Sequence, residues 1–271
     1  MGAVVRGIHL IKAQFLAARR YRVDFYGSFL SPLLTIIPLV LLYYLGERSD
    51  LVRFFYNATN TRNIFGYLVL GAAYWNYVEI LWSAIFSLRY YMVTGQLEEV
   101  FLMPLSGAEY ILSWSALGIL KVTMESIPII IFAVLSNVFS ITPMGLLAFL
   151  VVFVLSMIAS FGFAFLFFGL TLAFKDADEL VSLVGNAAPL LGGMFFPITV
   201  LPMPLRCVSY AFPFTWGVDL TRAFLMRTKT VLPLQRELLV LFSLSLGYFL
   251  AGWICLVVLQ RFARKKGMQG F

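Results

Sequence analysis

An all-α polytopic membrane protein is the fold class this sequence predicts, and three observations carry that expectation. The chain has 271 residues, 61% hydrophobic and only 12% charged, about half the charge of an ordinary soluble domain. Its apolar residues gather in runs of roughly twenty or more, the length a helix needs to cross the hydrocarbon core. From Ser126 to Phe174 no residue is charged, which is long enough for two such helices and a turn. A backbone in lipid must satisfy its own polar groups, so the runs read as helices. Six transmembrane helices are expected, with an N-terminal amphipathic interfacial helix and a re-entrant helical hairpin between the fifth and sixth spans.

Over residues 1–24, Val4, Ile8, Ile11, Phe15 and Ala18 recur at helical spacing, while Arg6, His9, Arg19 and Arg20 fall mostly off that stripe. This pattern predicts a basic helix lying in the membrane interface; a cytoplasmic helix packed on protein would want the same stripe. The six-helix domain then occupies 25–271. Its first span runs from about Phe25 to Gly46 and tolerates Pro32 and Pro38 through neighbouring helices. Glu47 to Asn63, with Arg48, Asp50, Arg53, Arg62 and a cluster of Asn and Thr, reads as an outside loop. The second span covers about Ile64 to Leu88 and carries a single charge, Glu79.

Residues 89–109 hold Gly95, adjacent Glu98 and Glu99, and Pro104. They are too polar and too broken to cross, and are expected to form a cytoplasmic hairpin. The third span runs from about Tyr110 to Leu135, then a short turn over Asn137 to Pro143, then the fourth from about Met144 to Phe174. Lys175 to Glu179 forms a charged turn, and the fifth span extends from about Leu180 to Leu201. Beyond it, Cys207 to Val218 is apolar but too short to cross, which fits a half-inserted helix. The last span, about Leu238 to Leu259, ends in Arg261, Arg264, Lys265 and Lys266.

The two ends of the chain hold nine of its twenty Lys and Arg, which places both termini in the cytoplasm and makes the number of crossings even. Against this stands the loop from Pro202 to Glu237, expected outside, with Arg206, Arg222, Arg227, Lys229 and Arg236. The net charge of +7 sits beside apolar runs, so anionic lipid is the expected partner and nucleic acid is not. No cleavable signal core is expected at the start, because Arg6, His9 and Lys12 interrupt it.

Cys207 and Cys255 match no metal-ligand spacing and are expected to be packing residues. His9 is the sole histidine, so no nucleophile–base set can be built and enzyme chemistry is not expected. Three charges fall inside spans: Glu79, Lys121 and Glu125. An ionisable group in hydrocarbon must be paired or wetted. Lys121 and Glu125 are four apart on one helix face and can neutralise each other. They either fix how the helices register or line a pathway for a polar part of a substrate. Gly192 and Gly193 permit a helix break, and Pro197, Pro202, Pro204 and Pro213 prevent simple continuation. A helix–turn–helix cap over 193–222 is therefore expected to dip back from the outer face. Phe195, Phe196 and Phe214 would lie near its gate, unless they are ordinary packing aromatics.

Three local patterns carry a resemblance. The segment Gly95-Gln96-Leu97-Glu98-Glu99-Val100-Phe101-Leu102-Met103-Pro104-Leu105-Ser106 resembles the Gly-x-Leu-Glu and Pro-Leu-Ser signature of type-2 ABC exporter permeases. Gly193-Met194-Phe195-Phe196-Pro197 with Leu201-Pro202, and Pro213-Phe214-Thr215-Trp216 with Asp219 and Arg222, resemble the stretch after the fifth helix of the same family. Gln96 and Trp216 depart from it, where Thr and Tyr are common. The resemblance implies a permease that pairs with a second copy and exports drugs, lipids or lipid-linked glycans across the cell membrane. It also implies a separate ATPase subunit that binds ATP and Mg, in keeping with the lack of a phosphate-cradling Gly-x-x-x-x-Gly-Lys-Ser/Thr loop in this chain. Gly95, Leu97, Glu98, Glu99, Phe101, Pro104 and Leu105 are then the expected ATPase-coupling residues. Their apolar members could fill a groove on a soluble partner, while Glu98 and Glu99 accept hydrogen bonds. An interfacial helix on the headgroups is the bland alternative. A proton-driven transporter working through Glu79, or a membrane-embedded lipid-modifying enzyme, would need internal repeats or a catalytic set, and neither is visible.

Overall fold

The computed structural model describes residues 51–94, 107–135, 142–174 and 177–266, together with Leu16 and Phe139. Among these, every regular element is helical, as the composition predicts. In chain order they are α1 (Leu51–Thr59), α2 (Ile64–Val93), α3 (Gly107–Leu135), α4 (Pro143–Ala173), α5 (Ala177–Leu191), α6 (Met203–Ala211), α7 (Pro213–Met226) and α8 (Leu234–Lys266), with a 3₁₀ turn at Ile198–Val200 before α6. The first span, the body of the interfacial helix and the coupling residues Gly95, Leu97, Glu98, Glu99, Phe101, Pro104 and Leu105 lie outside the described residues.

Three helical stretches are long and apolar enough to cross a membrane: Ile64–Tyr91, Pro143–Ala173 and Leu234–Phe262. The 29 residues of α3 also reach about 44 Å at the rise of an α-helix, with Lys121 and Glu125 near its middle. The uncharged run from Ser126 to Phe174 divides as expected, α3 ending at Leu135 and α4 starting at Pro143. Thr142 sets that start: its hydroxyl accepts from the Gly145 amide at 3.1 Å, and Pro143 occupies the first helical position, where no amide is needed.

Other boundaries differ from the sequence expectation. The polar stretch before Asn63 contains a helix, α1, because Phe55 packs edge-on against Tyr67 with ring centroids 5.2 Å apart and Thr59 returns its hydroxyl to the Phe55 carbonyl. At the hairpin of 89–109, α2 runs on to Val93 and α3 begins already at Gly107. The charged turn of 175–179 is shorter too, since α5 begins at Ala177. The largest difference is at the fifth span. α5 stops at Leu191, ten residues before the expected end at Leu201, and its 15 residues are fewer than a full crossing needs. Gly193, with φ +77°, turns the chain in a conformation that only glycine adopts freely. Pro197, itself extended, then leads into the 3₁₀ turn.

The helices share two ends. At one, Ser87 near the end of α2 meets Tyr110 near the start of α3, their hydroxyl oxygens 2.8 Å apart. Tyr110 lies 6.0 Å from Phe168 late in α4, and Gly169 faces Leu256 and Leu259 late in α8. At the opposite end, the Lys229 amide donates to the Thr59 carbonyl at 2.9 Å. There too Val152 of α4, Trp216 and Leu220 of α7 and Leu241 of α8 form a buried cluster.

The most extensive helix–helix interface among the described residues joins α4 to α8. Its closest approach lies at Gly162 and Gly252, where a Cβ on Gly252 would collide with the Gly162 carbonyl. Small residues let two backbones approach where lipid supplies no hydrophobic drive to hold helices together. Phe165, Phe168, Leu81 and Ile85 fill the centre alongside, all fully buried.

Candidate functional site

The segment expected to form a cap, 193–222, folds as two short helices, α6 and α7, meeting at Phe212. Phe212 and Pro213 end one helix and begin the other: Phe212 is extended, and Pro213 stands at the first position of α7. The tip of this helical hairpin reaches the middle of the long helices. Phe214 makes edge contacts with Trp75 of α2 at 6.0 Å and Phe163 of α4 at 6.2 Å, and stacks on Phe212 at 5.0 Å. The Tyr248 hydroxyl of α8 donates to the Ala211 carbonyl at 2.7 Å, satisfying an orphan acceptor at the end of α6.

One side chain locks the outer part of the hairpin in place. Arg222 is 1% exposed, and its guanidinium donates to the carbonyls of Gly193 at 2.7 Å, Met194 at 2.5 Å and Tyr67 at 3.1 Å. It also lies 3.5 Å over the Tyr67 ring. A planar fork that both stacks and hydrogen-bonds in several directions is a geometry that Lys cannot supply. Arg222 thus joins α7 to the broken end of α5 and to α2. One turn earlier, Asp219 accepts from the Val231 amide at 3.0 Å, and Glu237, fully buried near the start of α8, accepts from the neighbouring Leu232 amide at 3.4 Å. Through Val231 and Leu232 these bonds tie α7 to the start of α8.

Of the expected gate residues, Gly193, Pro197, Pro213 and Thr215 are buried, Phe195 and Phe196 are half-buried, and Pro202 is exposed at the start of α6. Phe195 and Phe196 pack on the cluster of Phe55, Ile64, Tyr67 and Leu68. Phe214 is 0% exposed and belongs to the packed interior rather than to a lining. Cys207 is exposed, contrary to its expected packing role, and Cys255 is partly buried; both are free thiols.

The three charges expected inside spans divide. Lys121 and Glu125 form the expected pair, Nζ to Oε1 3.7 Å. They border a groove of about 540 Å³ between α2 and α3, with Ile80, Trp114, Leu117 and Val122 on its walls. The Trp114 indole is held by a bond to the Ser83 hydroxyl at 3.2 Å. Glu79 does not join the pair: it is exposed and does not line the groove. The roles of Arg222, Asp219 and Glu237 escape a reading of the sequence, in which Arg222 and Asp219 stand only as parts of a pattern.

A family model described as ABC-2 type transporter matches residues 8–226. The chain belongs to the ABC-2 type transporter family. Membership of that family makes the chain a membrane-embedded transport permease. A comparison with curated proteins found no match. The match to the ABC-2 model takes in the broken end of α5 and the whole hairpin, and ends at Met226, the last residue of α7.

Proposed function

We propose that this ABC-2 permease is the transmembrane half of an ATP-driven exporter, working in the cell membrane as a pair of identical copies with two separate ATPase subunits. It crosses the bilayer six times, the fifth crossing made by the short α5 together with the broken segment that follows it to Leu201, with both termini in the cytoplasm. The hairpin of α6 and α7 is re-entrant, entering the membrane from the outer face and turning back at Phe212. The cargo is hydrophobic or amphipathic, in the class of drugs, lipids or lipid-linked glycans, and membrane lipid surrounds the dimer.

The observation that carries this reading is the shared polarity of the helix ends. α2 ends and α3 begins at the same end of the bundle as the last turns of α8, where Arg261, Arg264, Lys265 and Lys266 collect. Basic residues flank the cytoplasmic side of a membrane protein. The chain joining α2 to α3, with its Gly95-to-Ser106 signature, therefore leaves and re-enters the bundle at the basic end, within reach of a soluble motor. Two of the cations that argued against this orientation are taken up internally. Arg222 is buried among carbonyls, and the Arg206 guanidinium bonds to the carbonyls of Thr199 and Leu201. Alternating access arises when ATP draws the two ATPases together and their movement passes through the coupling segment into α2 and α3.

The test is co-purification of the chain with its ATPase. Replacing Glu98→Lys and Leu97→Ala together is expected to abolish stable association and the substrate-stimulated part of ATP hydrolysis, while the permease alone still runs as a folded species on size exclusion. Association and stimulation both unchanged in the double variant would remove the coupling assignment.

A further inference from the structure

The groove between α2 and α3 has an asymmetry that points to one kind of ligand. Its walls are apolar: Ile80, Leu117 and Val122 line it, with the indole of Trp114. Two charges border it, and they are unequally placed. Lys121 has 52% of its side chain exposed, whereas Glu125 has 13%. Their ion pair is long, 3.7 Å, and Glu125 Oε1 is buried without a hydrogen-bond partner. A buried carboxylate oxygen without a donor is an unusual and costly arrangement. Lys121 can swing away from the carboxylate on its flexible stem, whereas Glu125, with 13% of its side chain exposed, is held in the groove.

We infer that this groove is a binding site for cationic amphiphiles, molecules with an apolar body and a cationic N–H group that donates to Glu125. The aromatic or aliphatic body fills the space between Ile80, Leu117 and Trp114, and an N–H of the ligand donates to Oε1, which has no hydrogen-bond partner. Lys121 withdraws from the carboxylate as the ligand's cationic N–H replaces it, so Glu125 stays paired throughout. An anionic amphiphile has no equivalent place, because its charge would meet Glu125 at the inner wall, while Lys121, the cation among the described lining residues, stands on the exposed rim. This assignment narrows the cargo of the exporter proposed above and rests on that reading only for its transport meaning, since binding to the groove is measurable without transport.

The test uses the purified chain in nanodiscs of neutral lipid. Rhodamine 6G, a cationic aromatic amphiphile with N–H donors, serves as probe, and 8-anilinonaphthalene-1-sulfonate serves as its anionic counterpart. Fluorescence titration is expected to give saturable rhodamine binding that Glu125→Gln weakens roughly tenfold, about 1.4 kcal/mol. Lys121→Met, which leaves the carboxylate with no competing cation, is expected to tighten rhodamine binding several-fold. Neither variant should alter binding of the sulfonate. Size exclusion checks that both variants remain folded, and the opposite signs of the two effects separate a site from a general loss of structure. Rhodamine binding that ignores both substitutions, sulfonate binding that depends on Lys121, or no saturable binding at all would each overturn the assignment. ATP-dependent rhodamine efflux from proteoliposomes holding the permease and its ATPase is measured in parallel. Glu125-dependent binding without efflux leaves the groove standing and removes the exporter reading; efflux with Glu125-independent binding does the reverse.

Discussion

Replacing Arg222 by leucine is expected to give a permease that unfolds at a temperature lower by roughly 10 °C in detergent. The side chain serves the carbonyls of Gly193, Met194 and Tyr67 at once, and all of these are interior groups that no water replaces. An acceptor left buried without a donor costs about 1–3 kcal/mol, so the loss at this site is on the order of 4 kcal/mol even after partial relaxation. Arg222→Lys should recover only part of it, because an ammonium cannot lie flat on the Tyr67 ring while reaching three acceptors. The measurement is fluorescence-detected size exclusion after a temperature ramp, with wild type, Leu and Lys forms in parallel. Three equal midpoints would show that Arg222 does not hold the hairpin to α5 and α2.

A second large effect is expected at the crossing of α4 and α8. Gly252 stands where any side chain would collide with the Gly162 carbonyl, so Gly252→Leu must force two long helices apart. Overpacking a fitted contact typically costs ~1–3 kcal/mol, and a leucine against main chain falls at or beyond the top of that range. Gly252→Ala should show a smaller loss in the same direction. By contrast, Gly247 has nothing near its missing side chain, and Gly247→Leu should leave the thermal midpoint close to wild type. A Leu at 252 that was as well tolerated as one at 247 would refute the close approach.

The membrane class, the long helices α2, α3, α4 and α8 and the Lys121–Glu125 pair were legible because each rests on a local pattern: hydropathy over twenty residues, or a spacing of four. The features that were not legible depend on contacts distant in sequence. Helix α1 looked like a loop because its short apolar run is hemmed in by Glu47, Arg48, Asp50, Arg53 and Arg62, and no local rule announces that Phe55 has a partner in Tyr67. The end of α5 was misplaced because hydropathy stays high through Phe195 and Phe196, although Gly192 and Gly193 already marked where the helix breaks. Arg222 counted as a charge in a loop. Its acceptor on Tyr67 lies 155 residues away, so no spacing could have shown that the guanidinium is interior. A partial signal was present: a helix broken at two glycines exposes carbonyls that something must cap, and Arg222 and Arg206 were the cations within reach.

The boundary of the family match has a practical meaning that its position alone conceals. The shared segment ends at Met226, yet the next helix, α8, clasps α4 along the largest contact among the described residues. It also ties down Ala211, through Tyr248. Anyone trimming a gene to the shared portion would remove the rail against which the rest is fitted, leaving a slot of glycine backbone open to detergent. Reporter fusions and truncations therefore belong beyond Lys266, and a shortened version ending near 226 should be treated as a different object from the transporter subunit.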